Sequence, residues 1–278
     1  MFKSDNKQLI YHQGFSSIEI MVSLSLGLLL IYFLFECYIT VEKNYKSVAT
    51  LNKIQSRTRT VFDIFKTELK QAGKIGCIRL SDKFPLLNYK GYTLNLNNKL
   101  NGNNHEFTVR YASFPHAVLL ENMANSSVLK ISNQIHFSTN DILLISDCKH
   151  AELFSPRSIT PGSKTTIISK EPLRYTYGPL SEVSKLVINR YFIAKTKRFD
   201  QKELTYALYV EDINYRQTEL VSGISAMQIR YVIKDNNMIN EVEANQIKYF
   251  GHVLGIAIEI IIQDQLLKKT IYYYVALS

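Results

Sequence analysis

Proline and glycine are scarce, at six and eleven in 278 residues. No stretch is rich enough in them to act as a linker, so composition does not split the chain, and no internal repeat or low-complexity tract is visible. Metal spacing is missing too. His12, His105, His116, His136, His150 and His252 lie far apart, no HExxH occurs, and the three cysteines form no CxxC, which removes the usual zinc signatures. There is no Gly-rich phosphate loop and no serine in a nucleophile-elbow context. Asp147, Cys148 and His150 are close in sequence, but adjacency along the chain is not triad geometry. The sequence therefore points to no catalytic residue, no cofactor and no metal, and the chain is not expected to be an enzyme. Blocks of one charge are absent as well. The 33 Lys and Arg and 24 Asp and Glu give a net +9, scattered in a way that permits contact with nucleic acid or an anionic membrane but is explained by solvated faces.

What the chain has is one long apolar run near its start. From Phe15 to Phe35 the only charge is Glu19. The length suits a membrane-spanning helix, which needs about 20 apolar residues at 1.5 Å each. A secretory signal peptide is the rival, since Lys3 and Lys7 precede the run. The run is longer than an ordinary signal core, however, and no small-x-small cleavage site follows Phe35. Flanking charge does not set the orientation: Lys43 and Lys46 on the far side are diluted by Glu36 and Glu42. A carboxylate inside such a segment costs roughly 2.5–3.5 kcal/mol on insertion scales near the helix centre, which marks Glu19 as a functional residue in search of a partner.

Past the run, Val48, Leu51, Ile54, Val61, Phe65, Leu69 and Ala72 recur at intervals of three, four or seven, with charged residues mostly between them. This is the pattern of an amphipathic helix laid on a sheet or partner, and Gly73 and Gly76 are suitable stop signals. One helix is expected from about Ser17 to Ala72. Beyond it, Phe107–Tyr111, Val128–Ile131, Ile142–Ile145, Thr165–Ser169, Lys185–Ala194, Thr205–Val210, Ala226–Ile233, Gly255–Ile262 and Thr270–Ala276 are short, rich in Ile, Val and Tyr, and bounded by turn residues, as strands of antiparallel sheets are. Asn88–Asn104 is read as a loop or irregular hairpin, and Lys234–Asn245 as a polar turn that lacks the sixth-position glycine of a calcium loop. The expected fold class is α+β, a long N-terminal helix packed on a mainly antiparallel sheet.

The segment Gly14-Phe15-Ser16-Ser17-Ile18-Glu19, followed by the apolar run, resembles the class III signal of type IV pilins and type II secretion pseudopilins. That resemblance implies cleavage between Gly14 and Phe15 by a prepilin peptidase, N-methylation of Phe15, and an assembly role for Glu19, whose carboxylate would face the α-ammonium of a neighbouring subunit. His12-Gln13 departs from the Lys or Arg usual before the glycine. "RTVFDIFKTELKQAGKIGC", "ILLISDC", "LVSGISAMQIRYVI" and "VLGIAIEIII" resemble, in order, segments of PilW-type minor pilins. The implied organisation is a cleaved leader over 1–14, a transmembrane and polymerisation helix half over 15–38, an amphipathic half over 39–76 and a periplasmic β-rich domain over 77–278.

The same resemblance implies a disulfide between Cys77 and Cys148, compatible with an oxidising compartment, while Cys37 at the end of the apolar run behaves as a small hydrophobe. The implied partners are the prepilin peptidase, other minor pilins, the major pilin and the inner-membrane assembly platform. The implied location is the inner membrane, N-terminus cytoplasmic before cleavage, and then the pilus tip. Two alternatives remain open. One is a GspJ-like pseudopilin of type II secretion. The other is a DNA- or surface-binding tip module, for which Asn189–Phe199 interleaves Arg190, Lys195, Lys197 and Arg198 with Tyr191, Phe192 and Phe199, as a stacking groove does. An amphipathic strand ending in a charged turn is the simpler account of that stretch.

Overall fold

The structure, a computed structural model, describes residues 16–81, 87–196, 206–235, 238–263 and 268–276. Chain order is α1 (Ser17–Gln71), β1 (Lys74–Ile75), β2 (Ile78–Arg79), β3 (Leu87–Tyr89), β4 (Tyr92–Leu94), β5 (Leu100–Gly102), β6 (Phe107–Ala112), β7 (Ala117–Val118), β8 (Val128–Ile131), β9 (Leu143–Ser146), β10 (Ala151–Phe154), β11 (Pro156–Thr160), β12 (Thr165–Ser169), β13 (Glu182–Lys195), β14 (Tyr206–Glu211), β15 (Gln217–Ser222), β16 (Ile224–Asp235), β17 (Met238–Val242), β18 (Val253–Gln263) and β19 (Lys268–Ala276). One apolar helix followed by antiparallel strands makes the chain α+β. It divides into two compact units, one ending at Asn52 and the other beginning at Lys53.

The helix persists for 55 residues because nothing in it stops the backbone: no proline precedes Pro85, and Gly27 is the one glycine between Ser17 and Gln71. It ends where expected. Gly73 adopts φ +76°, a left-handed conformation that suits glycine at a helix C-terminus. Arg79 donates to the carbonyls of Lys70 (2.9 Å) and Ala72 (3.4 Å), covering acceptors that the last turn leaves without intrahelical partners.

In the unit beginning at Lys53, β13 is the hub of the largest sheet. Residues 182–183 pair with β7 and with β9, residues 190–191 with β6 and with β14, and β10 and β15 extend the order. A second sheet has the order β17-β16-β18-β19, and a third β11-β12-β8. All these pairings are antiparallel. One core joins helix residues Ile54, Val61, Phe65, Leu69 and Ala72 to Phe107, Val109 and Tyr191 of the first sheet and to Met227, Ile229, Ile258 and Ile260 of the second. Two smaller cores, around Ile131, Ile145 and Tyr177 and around Leu87, Leu94 and Leu153, serve the remaining strands.

Two expectations need correction. Val48 does not join the amphipathic stripe; it is 54% exposed, and burial on the stripe is strong only from Ile54 onward. Lys234–Asn245 is no mere turn, because Met238–Val242 pairs with residues 231–235 as the second arm of a hairpin. Its Asn237 lies outside the described residues. Asn88–Asn104, expected as a loop or irregular hairpin, does hold a hairpin, β3 with β4, followed by a capped 3-10 turn and β5. There the asparagines cap: Asn95 and Asn98 each accept the other's backbone N–H, a local alternative to ladder bonding that favours turns.

Candidate functional site: the long helix and its seat

From Ile18 to Phe35 the helix exposes apolar side chains on every face: Ile18 72%, Met21 72%, Leu28 65%, Leu34 69% and Phe35 61%. A helix that is apolar all round belongs in a protein core or a membrane, and within the described residues no core surrounds this one. By length and composition it can cross a bilayer once. Three of its hydroxyl side chains are turned inward on the backbone. Ser23 Oγ donates to the Glu19 carbonyl (2.6 Å), Ser25 Oγ to that of Val22 (2.8 Å) and Thr40 Oγ1 to that of Glu36 (2.9 Å). Each of these hydroxyls is thereby satisfied without water, as a lipid environment demands.

Glu19 is the exception and sits in the first turn. Its Oε2 accepts the backbone N–H of Ser16 at 3.0 Å, while Ser16 Oγ accepts that of Ile18 at 3.4 Å. This resembles a capping box, and its Ser-x-x-Glu spacing, Ser16 to Glu19, was open to view in the sequence. The sequence reading assigned Glu19 only an intermolecular task and missed this local one. A carboxylate at a helix N-terminus also opposes the positive end of the macrodipole. One hydrogen bond leaves most of its lone-pair sites open to another donor. Gly14 and Phe15 lie outside the described residues.

The seat of the helix lies in the second unit. Phe65 meets Phe107 (5.2 Å between centroids) and Tyr191 (5.7 Å) edge-on, and those two rings stack at 5.1 Å. Beside them the helix inserts one carboxylate. Glu68 accepts from Tyr111 Oη at 3.0 and 3.1 Å and from Asn189 Nδ2 at 3.1 Å. Burial, and next to it the Glu68 charge, push the phenols of Tyr111 and Tyr191 well above the usual range. A charged acceptor with two neutral donors fixes rotation and register of the helix on β6 and β13, where apolar packing alone tolerates slippage. No periodicity in the sequence announces this group.

Just past the helix, Cys77 and Cys148 are joined by a disulfide with Cα atoms 5.7 Å apart. Ser146 Oγ donates to the Ile75 carbonyl at 3.0 Å. Gly76, at φ +77°, leaves no room for a Cβ, which would fall on that hydroxyl. The helix end is thus stapled covalently and by backbone to the end of β9. Asp147 and His150 form no nucleophile group with Cys148. Asp147 Oδ1 accepts the backbone N–H groups of Lys149 and His150, at 2.7 and 2.5 Å, and the His150 ring stacks on Tyr175 at 4.2 Å. Cys37 is exposed and unbonded.

The basic aromatic stretch does not gather into a groove among the described residues. Arg190 lies between Glu106 (2.7 Å) and Glu211 (3.1 Å), and Tyr191 is 2% exposed in the core. Lys197, Arg198 and Phe199 lie outside the described residues. No group of three His, Cys, Asp or Glu among the described residues is placed to hold a metal ion. Comparison with protein-family models, curated proteins and solved structures finds no match to this chain.

Proposed function

We propose that this chain is a membrane-anchored structural subunit of a type IV pilus, a minor pilin of the PilW type that joins other minor pilins to prime or cap the filament at its tip. The observation that carries the reading is a single helix with two opposite surfaces. Its first part is apolar on all sides around one carboxylate, and its second part is the centre of a β-domain's core. A tail of this kind serves equally well in lipid and in a bundle of similar tails, so a subunit can pass from bilayer to filament without refolding. The β-domain, stapled to the helix end by Cys77–Cys148, supplies the surface that chooses neighbours. After cleavage behind Gly14, the new ammonium of Phe15 would stand four residues before Glu19 in its own sequence, and come within reach of a neighbour's Glu19 as subunits stack. Pairing offsets the cost of holding either charge away from water.

Mass spectrometry of the native protein tests this reading. The expected species begins at Phe15 with a methylated amino group, and Gly14→Ala, or loss of the peptidase, leaves the longer form. A native chain that retains Met1 sinks the proposal.

A further inference from the structure

The second sheet ends in two strands whose outer edges are unpaired among the described residues, β17 and β19. Exposed edges are templates for another strand, and proteins blunt them with bulges, prolines or charge. β19 carries nine residues in unbroken register with β18, with no bulge and no proline. Beside it lies a groove of about 420 Å³ lined by Ile54, Thr58, Arg59 and Phe62 of the helix and by Thr270 and Ile271. β17 is equally bare: Met238 is 64% and Ile239 70% exposed. We propose that β17 of a second copy of this chain adds to β19, its Met238 filling the groove, so that copies join edge to edge in one orientation.

Strand polarity selects this pairing. β17 and β18 each run antiparallel to β16, and β19 runs antiparallel to β18, so β17 and β19 point in opposite directions. A second copy placed without inversion therefore presents β17 antiparallel to β19. Two β19 edges, by contrast, meet antiparallel only when one copy is turned end for end in the plane of the sheet. That turns residues 53–71 of its helix as well, so the two helices leave their domains in opposite directions.

Side-chain parity and the groove select the register. Tyr231 is buried and pairs with Val242, so Val242, Asn240 and Met238 share the inward face. Val275 is buried, so Ile271 shares that face on β19. Residues facing each other across antiparallel strands lie on one side of the sheet. The register that keeps faces matched and brings Met238 to the groove pairs Met238 with Ile271, which places Ile239 opposite Thr270 on the outer face. The flexible thioether side chain of Met238 suits an irregular apolar groove. Main-chain bonds supply affinity in this mode and alternate side chains supply specificity. Because the two edges differ, the contact is heterologous and can extend beyond two copies. It depends on the second sheet and on the helix residues that line the groove beside it, and holds whether or not the anchor belongs to a pilus.

The test uses the full chain in detergent with Cys37→Ser throughout. Ile239→Cys and Thr270→Cys alter two exposed residues that face each other in this register, at a spacing suited to a disulfide. Under mild oxidation the double variant should give a ladder of dimers, trimers and higher species, a mixture of the two single variants should stop at dimers, and each single variant should stay monomeric. Adding Met238→Lys, which would carry an ammonium into the groove beside Arg59, should abolish the ladder while circular dichroism stays that of the parent. A double variant that remains monomeric with its native circular dichroism overturns the proposal. Dimers from Thr270→Cys alone, matching the double variant in yield, overturn it in favour of β19–β19 pairing.

Discussion

Residues 17–52 and 53–71 belong to one helix, yet they share little but the backbone. In the earlier stretch almost every side chain is exposed; in the later one Ile54, Val61, Phe65 and Leu69 are at most 1% exposed. The difference lies in spacing. From Ile18 to Phe35 apolar residues follow one another without period, whereas residues 53–71 place them on one stripe with charge elsewhere, and a stripe needs a surface to cover it. An unbroken helix therefore does not imply one environment. The same hydrogen-bond ladder carries a segment apolar enough to cross a bilayer and a segment built into the core of a β-domain.

The sharpest way to break the comparison is to truncate one large apolar side chain in each stretch. Phe65→Ala should destabilise the β-domain by about 3–5 kcal/mol, the range for truncating a buried aromatic. Leu29→Ala, at a position 53% exposed, should leave denaturant unfolding of the domain unchanged in detergent. Equal midpoints for the two variants would show that Phe65 is not the pivot of the seat.

The disulfide comes next. Removing it as Cys77→Ala with Cys148→Ala frees a loop spanning 71 residues, worth roughly 4 kcal/mol in the chain-entropy model. The expected loss appears in the urea midpoint of the β-domain and not in membrane insertion of the first stretch. Insertion that falls with the disulfide would mean that the two stretches are not independent.

Tyr111→Phe sharpens the comparison further, because it leaves the apolar stripe intact and removes one donor from Glu68. A hydrogen bond to a charged group is worth about 1.5–3 kcal/mol, and a loss in that range is expected. The same network sets a pH dependence. The Tyr111 and Tyr191 phenols are raised in the folded chain, so the unfolded chain gives up its protons first. Their contribution is complete below the unfolded tyrosine value near 10 and falls as pH rises beyond it. Absorbance titration should show these two rings ionising only as the domain unfolds. A smooth titration of all tyrosines at about pH 10, with the fold intact, would contradict the seat.

The sequence discloses the elements that follow a strong period or a strong composition. The long helix, its glycine stop, and the nine Ile-, Val- and Tyr-rich strands between Phe107 and Ala276 are where the pattern puts them to within a few residues at their ends, with Thr205 outside the described residues. The rest fails for physical reasons. β1, β2, β5 and β7 are two or three residues long, too short for alternation to register, and they exist because a longer neighbour offers an edge. β17 hides in a polar segment because its own side chains stay exposed. Glu68 looks like any helix-surface acid until Tyr111 and Asn189 arrive from β6 and β13. The capping bond of Glu19 is different: its Ser16-x-x-Glu19 spacing is plain in the sequence.

The central claim is that the apolar run from Ile18 to Phe35 is a polymerisation tail whose one carboxylate, Glu19, serves assembly. The measurement that tests it most directly is recovery of the chain in filaments sheared from cells, comparing the natural sequence with Glu19→Ala. Removing the charge makes the apolar stretch easier to insert, so the variant should still enter the membrane and be cut before Phe15. It should be depleted from sheared filaments, because a neighbour's ammonium loses its partner, and it should accumulate in the membrane fraction. Glu19→Ala that is cleaved, inserted and present in filaments at the natural level would contradict the account.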